Sequence, residues 1–168
     1  MGYRNFLLAA GLAAVVAVPA NAAPVSASTN AGGKALILIP LTLTRVADLE
    51  FGTVIESSTS GTVTIPPDGS ARTFTGGVTP VANPLPARAR FAGAGTPGQL
   101  VNIFLAPPAN LKDSNGDLLP ISMSLESSNI TIDSTHAFFV GVGGTVTVAA
   151  NQPDGDYTGV FTVLAQYN

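Results

Sequence analysis

The final stretch of the sequence, residues 155–168, alternates between two kinds of side chain, and this pattern restricts the fold more than any other. Successive side chains of a β-strand point to opposite faces. The preceding residues 151–155 include Pro153 and Gly155 and are typical of a turn. A strand with one apolar face has to be buried in a sheet, so we predict that this stretch belongs to the core. The predicted inward face carries Tyr157, Gly159, Phe161, Val163, Ala165 and Tyr167.

Short runs of the same two-residue period recur along the chain between Gly- and Pro-rich turns. A Pro-Asp-Gly turn at residues 66–70 joins residues 61–65 to 71–74 and predicts a hairpin. Because amphipathic helical runs are lacking, the sequence predicts an all-β, Ig-like antiparallel β-sandwich over residues 35–168. Further strands are predicted at residues 49–55, 87–92 (with its arginines outward), 99–105 (central in a sheet), 119–125, 129–132, 137–142 and 145–149, with a break at Gly143-Gly144.

The first 22 residues have the features of a secretory signal peptide. Arg4 precedes an apolar run at residues 6–18, and Pro19 is followed by Ala20-Asn21-Ala22, a small-residue cleavage site. The alternative, a retained membrane anchor, needs about 20 apolar residues. Residues 23–34 are small and polar and predict a flexible lead. We therefore expect export to the periplasm, cell surface or medium, with no integral membrane segment after cleavage.

An apolar stripe follows this lead at residues 35–45. Its predicted inward face carries Ile37, Ile39, Leu41 and Leu43, while Pro40 on the other face suits an edge strand or a bend. Two interpretations remain open. The stripe is either the first strand of its own domain or a donor strand that completes the groove of a neighbouring subunit.

The residue types that carry most enzyme chemistry are scarce. Cys is absent and His136 is the single histidine, expected at the surface or at a strand end, so we predict no catalytic, cofactor or metal site. Asp113-Ser114-Asn115-Gly116-Asp117 resembles the start of a calcium loop, but an Asn-Gly turn explains the same residues. The seven Lys and Arg residues are scattered against ten Asp and Glu residues, which argues against nucleic acid as a partner.

Several stretches resemble the bacterial exported domain of unknown function 4402. They are residues 40–44 (Pro-Leu-Thr-Leu-Thr), 47–54, 61–65, 67–69, 141–148 and 157–163. More distantly, the ending is similar to chaperone-usher pilins and spore coat U proteins, which have a glycine, an alternating apolar strand and a penultimate aromatic residue. Gly155, Tyr157, Phe161, Val163 and Tyr167 stand in those places. This likeness implies self-association or a chaperone/usher-like assembly system as partner.

Two functions are consistent with these observations. The first is a secreted, non-enzymatic structural or surface protein, a pilin-like subunit that associates by β-strand addition. The alternative is a monomeric periplasmic or cell-surface binding module, whose loops at residues 75–86 and 106–117 contact a glycan or a protein.

Overall fold

A computed structural model describes residues 28–168. The predicted signal peptide, residues 1–22, lies outside the described residues. The chain divides into the units Met1–Ala35 and Leu36–Asn168. Of the first unit, residues 28–35 are described, and they are exposed and outside any strand. All strands of the described residues belong to the second unit.

Antiparallel β-strands make up the second unit, and residues 28–168 contain no helix. The strands are β1 (Thr42–Ala47), β2 (Val54–Ile55), β3 (Gly61–Ile65), β4 (Thr73–Gly76), β5 (Thr79–Pro80), β6 (Ala89–Ala94), β7 (Leu100–Ala106), β8 (Asn110–Lys112), β9 (Leu118–Leu125), β10 (Asn129–Thr131), β11 (Ala137–Val148) and β12 (Thr162–Tyr167).

The long strand β11 is the centre of the larger, seven-stranded sheet. At Val142 it pairs with Ala89 of β6 and with Leu125 of β9, so β6 and β9 lie on its opposite sides. Residues 144–146 pair with both β3 and β9. Strands β1, β4 and β8 extend the sheet beyond β6, β3 and β9 respectively.

The smaller sheet has the order β10-β7-β12 and packs against one half of the larger sheet. Side chains of both sheets contribute to the first hydrophobic core, which lies between them. The prediction of an all-β antiparallel sandwich is therefore confirmed. The buried members of this core are Ala89, Val101, Ile103, Ile132, Phe138, Val140 and Val142.

A second core lies beyond the reach of the smaller sheet. Val146 and Val148 belong to the far end of β11, so the same strand serves both cores. The cover over the second core comes largely from loops and short strands, including Phe51, Val54 and Tyr157. This difference in cover determines where the candidate site lies. The buried members of the second core are Val63, Val78, Leu119, Val146 and Val148.

The last strand confirms the predicted faces but not the predicted length. Val163, Ala165 and Tyr167 pack against the first core, whereas Leu164 on the other face is 57% exposed. The prediction that the strand starts near Tyr157 is wrong, because the strand starts at Thr162. Thr162 pairs with Ala106, the last residue of β7, so the preceding residues have no partner strand to continue the ladder.

The first strand also begins later in the sequence than predicted. The sequence predicts a strand at residues 35–45, whereas β1 covers Thr42–Ala47. Thr42 pairs with Ala94, where β6 ends, so residues 35–41 have no partner on that strand. Leu41 and Leu43 pack against the first core as predicted. Ile37 is 90% exposed and Ile39 46% exposed, so these two side chains are not buried within their own domain.

The predicted break at Gly143-Gly144 is wrong, since β11 runs through both residues. A Cβ at Gly143 would overlap the carbonyl oxygen of Ile65 and would lie 2.5 Å from the nitrogen of Pro67. Glycine is therefore required here for close backbone approach within a continuous strand. The predicted strand at residues 49–55 shrinks to Val54–Ile55.

Other strand predictions are confirmed. The hairpin around residues 66–70 forms as β3 and β4, with Thr64 opposite Thr73. The central position predicted for residues 99–105 is that of β7 in the smaller sheet. Ala89 is fully buried while Arg90, its neighbour in the strand, is exposed, as the alternation predicts. Arg88 is predicted outward but is half-buried, and its guanidinium donates to the Pro67 carbonyl and the Glu126 carboxylate.

The hydroxyl of Tyr167 ties the end of β12 to the segment before β1. It accepts a hydrogen bond from the Thr96 backbone N–H at 2.8 Å and donates one to the Ile39 carbonyl at 2.9 Å. We expect Tyr167→Phe to lower the free energy of unfolding by about 1–2 kcal/mol, because both backbone groups lose their partner. Urea denaturation measures this. Gln166→Ala, which changes an exposed neighbour, should stay within about 0.5 kcal/mol of wild type.

Candidate functional site

A groove opens over the second core, where the smaller sheet gives no cover. Its volume is about 970 Å³. Pockets of about 300–1,000 Å³ commonly hold small-molecule ligands, so this groove has room for several apolar side chains or one such ligand. Its apolar lining comprises Leu49, Phe51, Val54, Ile55, Val63, Leu111, Leu119, Met123, Val146, Val148, Tyr157 and Phe161, with Pro84, Pro108 and Pro153.

One wall of the groove is the irregular segment that follows β1. Glu50 exchanges two backbone hydrogen bonds with Ala87, at 2.8 and 2.9 Å. Gly52 has a φ of 73°, a conformation that favours glycine, and its N–H donates to Oε1 of Glu50 at 2.9 Å. The Arg72 guanidinium donates to the Phe51 carbonyl. These contacts hold Phe51 in place beside the second core.

The opposite wall is the stretch that precedes β12. The side-chain amide of Gln152 donates to the Tyr157 hydroxyl at 2.9 Å, and this hydroxyl donates to the Pro153 carbonyl at 2.7 Å. A Cβ at Gly155 would lie 2.9 Å from Oδ2 of Asp113, so the turn packs closely on that carboxylate. Thr158 also exchanges two backbone hydrogen bonds with Lys112, at 2.8 and 2.9 Å, so side chains and one isolated β-bridge hold the wall without a continuous ladder.

The charge of the groove has one sign. Four of its lining residues are exposed carboxylates, namely Glu50, Glu56, Asp154 and Asp156. The lining contains no Lys or Arg within the described part of the chain. An apolar interior whose charged lining residues are all carboxylates favours an apolar ligand with a positive group.

The structure divides the predicted C-terminal motif between two places. Gly155, Tyr157 and Phe161 line the groove. Val163 and Tyr167 pack against the first core and do not line the groove, whereas Phe161 does both. The sequence predicts one continuous strand face here, and the structure has a groove wall followed by a strand.

The predicted N-terminal stripe is also divided. Leu41 and Leu43 are half-buried within their own domain. Ile37 and Ile39 lie in a segment that precedes β1, and together with Leu36, which is 66% exposed, they present apolar surface to solvent. We refer to residues 36–39 as the N-terminal apolar segment. None of its residues belongs to the groove lining.

Asp113 shows why the calcium-like loop is a turn. The residue is buried. Its Oδ1 accepts hydrogen bonds from the backbone N–H groups of Asn115, Gly116 and Asp117, at 3.0, 2.8 and 2.7 Å. Its Oδ2 accepts a hydrogen bond from the Asn115 side-chain amide. These four hydrogen bonds form an Asx turn, which accounts for an aspartate at the first position of the loop. The turn supports Gly155 and, through it, the groove wall.

His136 occupies a strand-end position at the surface, as predicted. It is exposed, has a φ of 68° and directly precedes β11. Its Nδ1 lies 3.3 Å from the Gly95 carbonyl oxygen.

The neighbouring Asp133 has a lowered pKa, first because the Thr135 hydroxyl donates a hydrogen bond to its carboxylate and then because the Ala137 N–H donates another. Residues 28–168 contain no group of three or more His, Cys, Asp and Glu side chains positioned to bind a metal.

The local pattern of the sequence does not identify the groove. Its lining comes from separate segments of the chain, around residues 49–56, 108–123, 146–148 and 152–161. One local signal is present, because Gly155 and Gly159 both stand where a Cβ would meet a neighbouring side chain closely, at 2.9 and 2.7 Å. A glycine pattern of this kind indicates close packing without indicating which residues pack there.

The model of the domain of unknown function DUF4402 matches residues 41–167. The chain belongs to the DUF4402 family. The matched region starts immediately before β1 and ends with β12, so the DUF4402 domain contains the sandwich and the groove. The N-terminal apolar segment precedes it. No curated protein and no solved structure shows a significant match to the chain. Within residues 28–168, no helix is long and apolar enough to cross a membrane.

Proposed function

We propose that the protein is an exported, non-enzymatic surface subunit, pilin-like in its assembly, that associates with further copies by β-strand addition. The observation that carries this proposal is the exposure of the N-terminal apolar segment, in which Leu36, Ile37 and Ile39 all face solvent. A group of neighbouring large apolar side chains in solvent is a feature of interaction surfaces and of strands that lack a partner.

The position of the segment supports its role as a donor. It continues directly into β1, an edge strand whose partner among the described residues is β6. Ile39 is already held by Thr96, whose Oγ1 accepts its N–H at 2.9 Å, and by the Tyr167 hydroxyl. The residues before Ile39 are therefore presented from a fixed point. Export is expected from the pattern at residues 1–22.

Sedimentation over a range of concentrations tests self-association. Protein purified from cells that express the full-length chain is expected to grow in size with concentration. Ile37→Asp is expected to weaken the association roughly 10- to 100-fold, because burying an isoleucine contributes about 1.5–3 kcal/mol and a carboxylate resists burial. The fold should be unaffected, since Ile37 is almost fully exposed.

Leu164→Asp is the matched control. Leu164 is exposed on the outer face of β12, so it offers apolar surface elsewhere on the domain, and its replacement should leave association unchanged. A peptide of residues 35–45 should also compete with association when it is added in excess. Wild-type protein that stays monomeric at every concentration contradicts the proposal.

A second function is favoured by the groove itself. A monomeric binding module needs a concave, largely apolar site, and the groove provides one. Pro84 and Pro108, from the two loops in which the sequence predicts ligand contacts, both contribute to its lining. A monomer at all concentrations, together with saturable binding of a glycan or peptide that Tyr157→Ala abolishes, supports this function in place of the first.

A further inference from the structure

The N-terminal apolar segment and the groove are complementary in polarity and in charge. The segment presents leucine and isoleucine side chains to solvent, and the groove is lined mainly by apolar side chains. Lys34, two residues before Leu36, is the only charged residue between residues 23 and 44. The groove lining carries four exposed carboxylates and, within the described chain, no cation.

Residues 36–39 do not line the groove of their own chain. Ile39 is held at the Tyr167 end of β12, whereas Phe161, before the other end of β12, lines the groove. Strand β12 extends over about 16 Å between these ends, at ~3.3 Å per residue. Leu36 lies three residues from Ile39 and reaches at most about 11 Å from it. The segment therefore remains near the end of the sandwich opposite the groove.

We infer that the groove of one copy receives the N-terminal apolar segment of a second copy, with Lys34 facing the groove carboxylates. This inference rests on the proposed function and adds the acceptor site to it. Donor and acceptor are different surfaces at different ends of the domain. The contact is therefore heterologous, and repetition of it gives an open chain unless the rotation between copies closes a ring.

The contact removes apolar surface on both sides. Leu36, Ile37 and Ile39 lose their exposure, and the second core gains cover where the smaller sheet does not extend. Burial of such side chains is the main favourable contribution to association, whereas the Lys34 contact with exposed carboxylates contributes mainly orientation and rate. Raised salt should consequently slow assembly more than it weakens the assembled form.

Because the sequence has no cysteine, single introduced cysteines map this contact without background. One copy carries Ile37→Cys, and a differently tagged copy carries Asp156→Cys on the groove wall. A short bis-maleimide linker should join these two copies in high yield. The matched control replaces Asp156→Cys with Leu164→Cys on the outer face of β12 and should give little product.

A charge exchange provides an independent test. Lys34→Glu and the double change Asp154→Lys with Asp156→Lys should each weaken association roughly threefold to tenfold, and mixing the two variants should restore it. All three positions are exposed, so the fold should persist. Restoration together with the Ile37–Asp156 cross-link establishes the inference.

The outcomes separate the inference from the proposed function. Suppose that the protein associates and that a cross-link forms at Leu164→Cys but not at Asp156→Cys. The groove is then not the acceptor, and the proposal of self-association still holds. If none of the charge changes alters association, the placement of Lys34 against the groove carboxylates is wrong. A wild-type protein that never associates overturns the inference and the proposed function together.

Discussion

A chain that ends at Phe161 is expected not to fold. This truncation removes β12, whose Val163 and Tyr167 pack against the first core. It also removes the ladder that β12 forms with β7, in which Tyr167 pairs with Val101 and Ala165 with Ile103. Without β12, the fully buried Val101 and the nearly buried Ile103 become accessible to water.

The expected loss is a large part of the stability of a domain. Burial of each large apolar side chain contributes about 1.5–3 kcal/mol, and a domain of this size is stable by about 5–15 kcal/mol. The loss involves residues of both β12 and β7, so we expect no cooperative transition in urea and no near-UV circular dichroism signal.

Two point variants separate burial from strand pairing. Val163→Asp places a charge against the first core and should destabilise strongly, whereas Leu164→Asp changes the exposed face of the same strand and should cost little. A truncated chain that still unfolds cooperatively contradicts the assignment of β12 to the core.

The period of the sequence predicts which side chains point inward, and it does so well in this protein. Val163 and Tyr167 are inward and Leu164 is outward, as the alternation requires. The faces of Leu41 and Leu43 are also as predicted. Alternation is a local property, since neighbouring side chains of a strand point to opposite faces whatever the strand pairs with.

The ends of strands are harder to predict because they depend on the partner strand. β12 starts opposite the end of β7, at Ala106, and β1 starts opposite the end of β6, at Ala94. Both partners are distant in sequence. The apolar residues outside the ladder, such as Ile37 and Phe161, carry the same pattern as those inside it, so the pattern alone does not locate the boundary.

The groove is beyond sequence-based prediction for a related reason. It exists because the smaller sheet has three strands and covers only the first core. The Gly143-Gly144 pair shows the same limit, because the sequence suggests a break where Gly143 in fact serves close packing against Ile65 and Pro67. Which backbone approaches a glycine is decided by the fold as a whole.

The contact between Gly93 and Phe138 provides the second large expected effect. These residues lie opposite each other on β6 and β11, and Phe138 is buried. A Cβ at Gly93 would overlap Cζ and Cε1 of the Phe138 ring, so the ring occupies the space that any larger residue needs. We expect Gly93→Val to destabilise by about 3 kcal/mol through overpacking, and Phe138→Ala by about 3–5 kcal/mol through cavity formation.

The double variant distinguishes this contact from two independent defects. Once Phe138→Ala has removed the ring, the side chain introduced by Gly93→Val enters the vacated space, so the double variant should be about 1–3 kcal/mol more stable than the sum of the single changes predicts. Urea denaturation of the four proteins measures the coupling. Gly33→Val is the control, because a Cβ at Gly33 meets nothing within 4 Å and the change should have little effect. Strictly additive losses would show that the Phe138 ring is not held against Gly93 in the folded protein.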